Sequence, residues 1–426
     1  MRLPKQFSQK ARKTFYFIHL WTGLILGLWL VLLGLTGSVL AWRSEFTGWE
    51  ARQRVGARMP GPNDEIIPIS KAIAALKAVD PKLTPERGMY LPPREYGYYL
   101  YNARGEFNGE RTSMIYLVDP VSAKVYPPVP RSTMWVETFE HLHADLIQGV
   151  RGNIANGVFS FFTVFMLISG AWLWWPSNLK QLKQRILLRR GVSLKRTLYD
   201  LHNVMGVYLF GILFLVTITG VALVLNTHTD NSIRKIVDRA AGVEETAPRR
   251  SGRGEGRAGG REGRRPNAPR GGQGSQTVSG GLMPDVEVRG KQLPIDELVK
   301  RAKAALPRNT LLFVSEPRRP GQPFQTSFDP ISFNNGLVLF DPYTGEILDA
   351  NGLTFTPGAM TMKVVGDLHY GWFGGNWSKF FYSLTGFMPL GLFITGVWMW
   401  INKKRGQAKN KAKRQSKAAA EAPAAG

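Results

Sequence analysis

Four apolar runs constrain this chain more than any other feature. Leu20–Trp42, Ile154–Trp175, Val204–Asn226 and Phe380–Ile401 contain no Asp, Glu, Lys or Arg. A helix rises 1.5 Å per residue, so runs of about 22 residues cross roughly 30 Å of hydrocarbon. Soluble core helices rarely run so long without a charge. The expected fold class is a membrane protein with four transmembrane α-helices.

The net charge of +24 at first suggests a nucleic-acid partner, but its distribution argues against one. Residues 1–14 hold five Lys/Arg, residues 176–201 seven and residues 402–426 eight, opposed only by Asp200 and Glu421. By the positive-inside rule, both termini and the 176–201 loop are cytoplasmic, and the two long connections lie outside. Residues 247–281 add eight Arg against two Glu, in a setting of Gly, Pro and Ser. With almost no aliphatic residues they cannot offset their ordering entropy, and they read as a disordered linker. The first span follows a basic segment with no small-residue cleavage site after it, so it reads as an uncleaved anchor. The absence of cysteine excludes disulfides, thiolate metal sites and iron–sulfur clusters.

The chain repeats itself. His19-x3-Gly23-x13-Gly37 in the first span matches His202-x3-Gly206-x13-Gly220 in the third, with Thr36 and Thr219 in register. His143 stands 27 residues before Gly170, in Ile-Ser-Gly-Ala-Trp-Leu-Trp, and His369 stands 27 before Gly396, in Ile-Thr-Gly-Val-Trp-Met-Trp. Outside the membrane, residues 116–125 and 338–347 each read as a strand, an Asp-Pro turn and a returning strand. Helical patterns precede them at Ile69–Val79 and Ile295–Ala305. The expected order is a cytoplasmic N-terminus (1–17), span one (18–42), an outside α+β module (43–140), and an interfacial helix with span two (141–175). Then come the basic loop (176–201), span three (202–226), a second module (227–368), an interfacial helix with span four (369–401), and a basic tail (402–426). These are two parallel repeats.

Four of the six histidines, His19, His143, His202 and His369, occupy matching places in the repeats. A single histidine near a helix end is ordinarily an interface anchor. Four in register, with Gly23 and Gly206 one turn along their helices, point instead to haem iron: imidazole ligates it, and the glycines let a flat macrocycle approach. The topology pairs His19 with His202 near the cytoplasmic face and His143 with His369 just outside. Arg12, Lys13, Lys195 and Arg196 would meet propionates inside; Arg151 and Lys379 would meet them outside. Zinc or copper fits less well, for want of a dense carboxylate or thiolate shell. His141 reads as a surface or supporting residue, and His228 as a competitor for the outer position. A helix unbroken from His143 to Trp175 would be about 48 Å long. Breaks are therefore expected at Gly149 and Gly152 and at Gly374 and Gly375, with a kink at Pro389. Trp172, Trp174, Trp175, Trp398 and Trp400 read as an aromatic belt. Trp372 and Trp377 sit beside His369 as packing surfaces.

These motifs together resemble the PepSY-associated transmembrane family of iron-regulated membrane proteins. The resemblance rests on His19 with Leu-Thr-Gly, Leu-His-Ala-Asp-Leu with Ser-Gly-Ala-Trp-Leu-Trp, Leu-His-Asn-Val-Met-Gly with Ile-Thr-Gly, and Leu-His-Tyr-Gly with Thr-Gly-Val-Trp-Met-Trp. It implies a four-span inner-membrane protein with two periplasmic PepSY-like modules. It further implies two haem b groups on His19, His202, His143 and His369, and reduction of ferric siderophores or chelates to release Fe(II). The long Arg–Gly linker departs from the family's usual pattern. Irons roughly 20–25 Å apart would suit the bilayer thickness. No dinucleotide motif is present, so the electron donor is expected to be a cytoplasmic reductase or quinol. Two other readings compete: an interaction protein that restrains a protease or senses a ligand, and a siderophore transporter. The transporter reading is weakened because no charge lies within a span.

Overall fold

The computed structural model describes residues 9–81, 83, 85–92, 97–176, 178–229, 231–243, 286–317, 319–328, 337–350 and 356–420. The linker assigned to 247–281 lies outside the described residues. In chain order the helices and strands are α1 (Gln9–Leu40), α2 (Arg43–Val55), α3 (Ile69–Val79), β1 (Pro85–Tyr90), β2 (Tyr99–Phe107), β3 (Glu110–Val118), β4 (Val129–Pro130), α4 (Trp135–Asp145), α5 (Val150–Trp174), α6 (Leu179–Ile186), α7 (Leu194–His228), α8 (Ser232–Ala240), α9 (Ile295–Ala305), β5 (Leu311–Ser315), β6 (Phe324–Phe328), β7 (Leu337–Phe340), β8 (Ile347–Ala350), α10 (Pro357–Tyr370) and α11 (Gly375–Ala420). Two compact units result. Of the described residues, one comprises those within 9–38, 155–221 and 381–420; the other comprises those within 39–154 and 222–380.

The first unit is built from α1, α5, α7 and α11, the four helices long and apolar enough to cross a membrane. They extend past the apolar runs. α1 starts at Gln9, α7 at Leu194, and α11 continues to Ala420, so much of the basic sequence expected in loops and tail is helical. Pro389 lies inside α11 without ending it. Between helices in lipid there is little hydrophobic driving force, and small residues that let backbones touch take its place. Gly34 of α1 meets Gly386 of α11, where a side chain on either would collide with the other's carbonyl. Ser38 Oγ donates to Ser383 O at 2.8 Å, and Ser383 Oγ returns a bond to Ser38 O at 2.9 Å. Between α1 and α5, Trp29 Nε1 donates to Asn156 Oδ1 at 2.8 Å.

The second unit holds one eight-stranded antiparallel sheet, ordered β4-β3-β2-β1-β5-β6-β7-β8. The two strand sets expected in separate modules are therefore joined, through Met89–Val314 and Tyr90–Phe313 in β1 and β5. α3 and α9 cover one face at the spans the pattern predicted. They bury Ile69, Ala72, Leu76, Leu298 and Ala302 against Tyr99, Val118, Phe324, Phe328 and Phe340. Period-two alternation sends Leu100, Ile115 and Leu117 to the other face, where Ala51 of α2 packs. After β3, Asp119 Oδ1 accepts from the Val121 and Ser122 amides; after β7, Asp341 Oδ1 accepts from those of Tyr343 and Thr344. The first returning strand is shorter than expected: it is a single bridge at Val118–Val125, and β4 pairs further along β3.

α4 is fixed to α2 by buried charge. Arg43, 7% exposed, donates to Glu137 Oε1 at 3.0 Å and is paired with Glu140, while Arg131 Nε reaches Glu137 Oε1 at 2.7 Å. Burial pushes the Glu137 carboxyl up, but Arg131 and Arg43 outweigh it and hold the pKa below the ordinary value. Glu140 is raised by burial and by Glu137, against the pull of Arg43.

Two outcomes are expected. Gly386→Leu should cost about 1–3 kcal/mol through overpacking, read as a lowered thermal midpoint in detergent, with Gly406→Leu, which faces open space, as the neutral control. Arg43→Met should cost about 3–5 kcal/mol by removing the cation paired with the buried Glu140 carboxylate, and adding Glu140→Gln should restore most of the lost midpoint.

Candidate functional site

The four repeated histidines come together in two pairs. In the first unit, His19 of α1 and His202 of α7 have ring centres 6.4 Å apart and planes at 82°. In the second, His143 of α4 and His369 of α10 lie 6.2 Å apart at 56°.

The His19–His202 pair borders a cavity of about 1100 Å³, above the usual range for small-molecule pockets of about 300–1,000 Å³. Gly23 and Gly206 line it. A Cβ on Gly206 would meet nothing within 4 Å, and one on Gly23 only Met166 Sδ at 3.7 Å, so both leave the wall open. Each imidazole is held from behind by the neighbouring span. His19 Nδ1 lies 3.0 Å from Met166 O of α5. That oxygen can only accept, so in the neutral ring Nδ1 carries the proton and Nε2 is left as the lone-pair nitrogen. His202 Nδ1 lies 2.9 Å from Thr395 Oγ1 of α11. The Thr395 hydroxyl proton goes to Gly391 O at 2.7 Å, leaving its oxygen to accept from Nδ1–H. Gly170 makes room for the His19 ring, since a Cβ there would stand 2.8 Å from His19 Cε1; one on Gly396 would meet His202 Cε1 at 3.5 Å, an ordinary contact.

The basic residues at this cavity differ partly from expectation. Arg12, Lys13 and Lys195 line it, joined by Lys403, which lies 4.0 Å over the Tyr16 ring. Lys403 was missed because its helix was expected to end before it. Arg196 instead pairs with Asp200 at 3.0 Å and stacks over Tyr199. Of the expected aromatic belt, Trp174, Trp175, Trp398 and Trp400 line the cavity, and Trp172 stacks on Phe15 at 4.4 Å.

The His143–His369 pair is placed by two helix ends. α4 stops where Leu146 and Ile147 take φ values of 52° and 59°, followed by Gly149 at 59°. A β-branched residue in the left-handed region is strained, and such strain gathers at functional sites. The break thus precedes Gly152, which lies inside α5 with its α-carbon against Asp145 O. α10 is capped by Thr356 and by Asp238 of α8, whose Oδ1 accepts from the Gly358 amide at 2.7 Å. It ends at Gly371, φ 72°, and α11 begins at Gly375, not at Gly374. Beyond His369 a row of rings follows: Tyr370 at 5.6 Å, then Trp372 4.9 Å further on. Burial, with the nearby Glu140 charge, pushes the Tyr370 hydroxyl up to about 12. Trp377 is 75% exposed.

The remaining histidines are engaged elsewhere. His141 Nδ1 meets Asp145 Oδ2 at 3.1 Å, and His228 Nε2 meets Asn153 Oδ1 at 2.7 Å. Lys379, expected to face a propionate, is 9% exposed and bound to Glu45 at 2.6 Å, over the Trp42 ring. Arg151 is exposed.

The donor set suits a macrocycle-bound iron. Each pair sets two imidazoles with ring centres 6.4 or 6.2 Å apart, and such a pair would hold one macrocycle-bound iron. Among the described residues no group of three or more His, Cys, Asp or Glu could hold a metal ion. Two nitrogens are too few for a zinc site, whereas two imidazoles could hold a haem iron.

No curated protein matches the sequence. The family described as the PepSY-associated TM region matches residues 16–403, a stretch that includes all four paired histidines and the whole sheet. This chain is a membrane protein belonging to the family of PepSY-associated TM regions.

Proposed function

We propose that this protein is a transmembrane di-haem electron-transfer protein of the bacterial inner membrane, reducing a ferric siderophore or chelate outside and freeing Fe(II). The observation that carries the proposal is that the four repeated histidines stand in two separate imidazole pairs, with ring centres 6.4 and 6.2 Å apart, each of which would hold one haem iron. Haem b bound at each pair would supply a one-electron carrier. The rest is the work of the chain. Met166 O and Thr395 Oγ1 keep Nδ1 protonated on His19 and His202, presenting Nε2 to the cavity. Arg12, Lys13, Lys195 and Lys403 supply cations for propionate carboxylates. Trp372 and Trp377 offer flat surfaces beside His369 for a bulky chelate.

The reaction balances as one electron from a cytoplasmic reductase or quinol, added to Fe(III) in the chelate to give Fe(II), which the chelate holds far less tightly. The distribution of basic segments supports cytoplasmic termini and a periplasmic sheet. The sheet's two halves support a reading as paired PepSY-like modules, since each sets one helix against four strands and carries the same Asp turn.

Purified protein should show about two b-type haems per chain. His202→Ala should remove one haem and leave the other, and His369→Ala should remove the complementary one, each read by visible spectrum. Colourless protein from haem-replete cells would end the reading. In oriented, pre-reduced vesicles, a bulky ferric chelate on the periplasmic side should reoxidise the wild type but leave the remaining haem of His369→Ala reduced; reoxidation only from the cytoplasmic side would reverse the path.

A further inference from the structure

The two imidazoles at the large cavity are held by different chemistry. Behind His19 stands a backbone carbonyl, Met166 O at 3.0 Å, while Ser169 Oγ is 3.5 Å away and donates to that same carbonyl at 2.8 Å. Behind His202 a side chain joins the Leu392 carbonyl: Thr395 Oγ1 at 2.9 Å. Thr395 is 2% exposed, and its own proton is committed to Gly391 O. Ser169 and Thr395 occupy the same place in the two Ile-Ser/Thr-Gly motifs, yet only Thr395 lies at ordinary hydrogen-bond distance from its histidine.

We infer that Thr395 is a positioning residue for His202. Resting on the haem reading above, the inference is that its oxygen fixes the His202 tautomer and ring rotation, so that Nε2 faces the cavity as a preformed ligand. The outer partner of a ligating histidine fixes its tautomer and orientation and raises its basicity. In α11 a hydroxyl that a single substitution can remove shares that task with the Leu392 carbonyl; in α1's partner helix the Met166 carbonyl holds the ring and Ser169 Oγ stands at 3.5 Å. His202 therefore has a close side-chain partner that His19 lacks.

The test compares Thr395→Val, Thr395→Ser and Ser169→Ala in the full chain. Haem transfer to apomyoglobin measures retention, and ¹⁵N-histidine NMR of the haem-depleted full chain measures which ring nitrogen of His202 carries the proton. Thr395→Val keeps the side chain's shape without the hydroxyl. It should weaken retention of one haem about 10–100-fold and give a mixed His202 tautomer. The second haem should stay and serve as the control for folding. Thr395→Ser should restore both readouts, and Ser169→Ala should leave them close to wild type. Unchanged retention and tautomer in Thr395→Val would overturn the inference, showing that the Leu392 carbonyl, a further partner of the ring, suffices alone. Failure of Thr395→Ser to rescue, loss of both haems, or an equal defect in Ser169→Ala would overturn it too. Wild-type protein without haem would sink the reductase reading, while the His202 tautomer in wild type and Thr395→Val would still decide the role of Thr395.

Discussion

Hydrocarbon gives two apolar helices almost no reason to prefer each other over lipid, so contact must come from shape. The first unit meets that constraint with glycine. Gly34 and Gly386 let α1 and α11 touch backbone to backbone, and Gly27 receives the Phe393 ring. Gly170 receives the His19 ring, and Gly391 receives the Met205 side chain. The same device thus serves packing and site. A ring seated against a bare backbone is held in place without a surrounding shell of large side chains, and the wall of the cavity at Gly206 is left open.

Much of this was legible in the sequence, and for a physical reason. Spans are set by hydrocarbon thickness, which a charge-free run reports directly, and a repeat in register puts like residues in like places. That is why His19 could be expected beside His202 and His143 beside His369, and why α3 and α9 appear at their expected spans. The Ser/Thr-Gly motif was seen as a repeat, but its use was not. Which helix a motif faces depends on pairing between spans, and a linear pattern does not carry it. Its hydroxyl residue and glycine belong to the histidine of a different span.

Other features were hidden for reasons of the same kind. Lys379 looks free in sequence; only the fold brings Glu45, 334 positions away, to its ammonium group. Two similar modules look separate because each is complete in its own strands and helix, whereas strand edges are generic and pair wherever geometry brings them. The cap from Asp238 onto α10 joins residues 120 positions apart. The break expected at Gly149 is there, but its start at Leu146 and Ile147 was not legible because neither residue advertises a positive φ. Helical continuity past the basic residues of α11 was missed because charge marks the end of a span, not the end of a helix.

The joined sheet also sets an order of events during synthesis. β1 pairs with β2 on one side and with β5 on the other, and Tyr90 and Phe313 stand 223 positions apart along the chain. At the usual pace of translation, β5 follows β1 by about 10–45 s. For that interval the first four strands present an open edge, with unpaired amides and carbonyls of the kind that recruits stray strands. β1 offers little there: its ladder with β2 is irregular between Pro85 and Gly88, and among the described residues its pairs with β5 are Met89–Val314 and Tyr90–Phe313, with Leu91 N donating to Leu312 O just beyond. A nascent edge this short and irregular is poorly suited to pairing with other chains, which suits a half-built protein that must wait for its own second half.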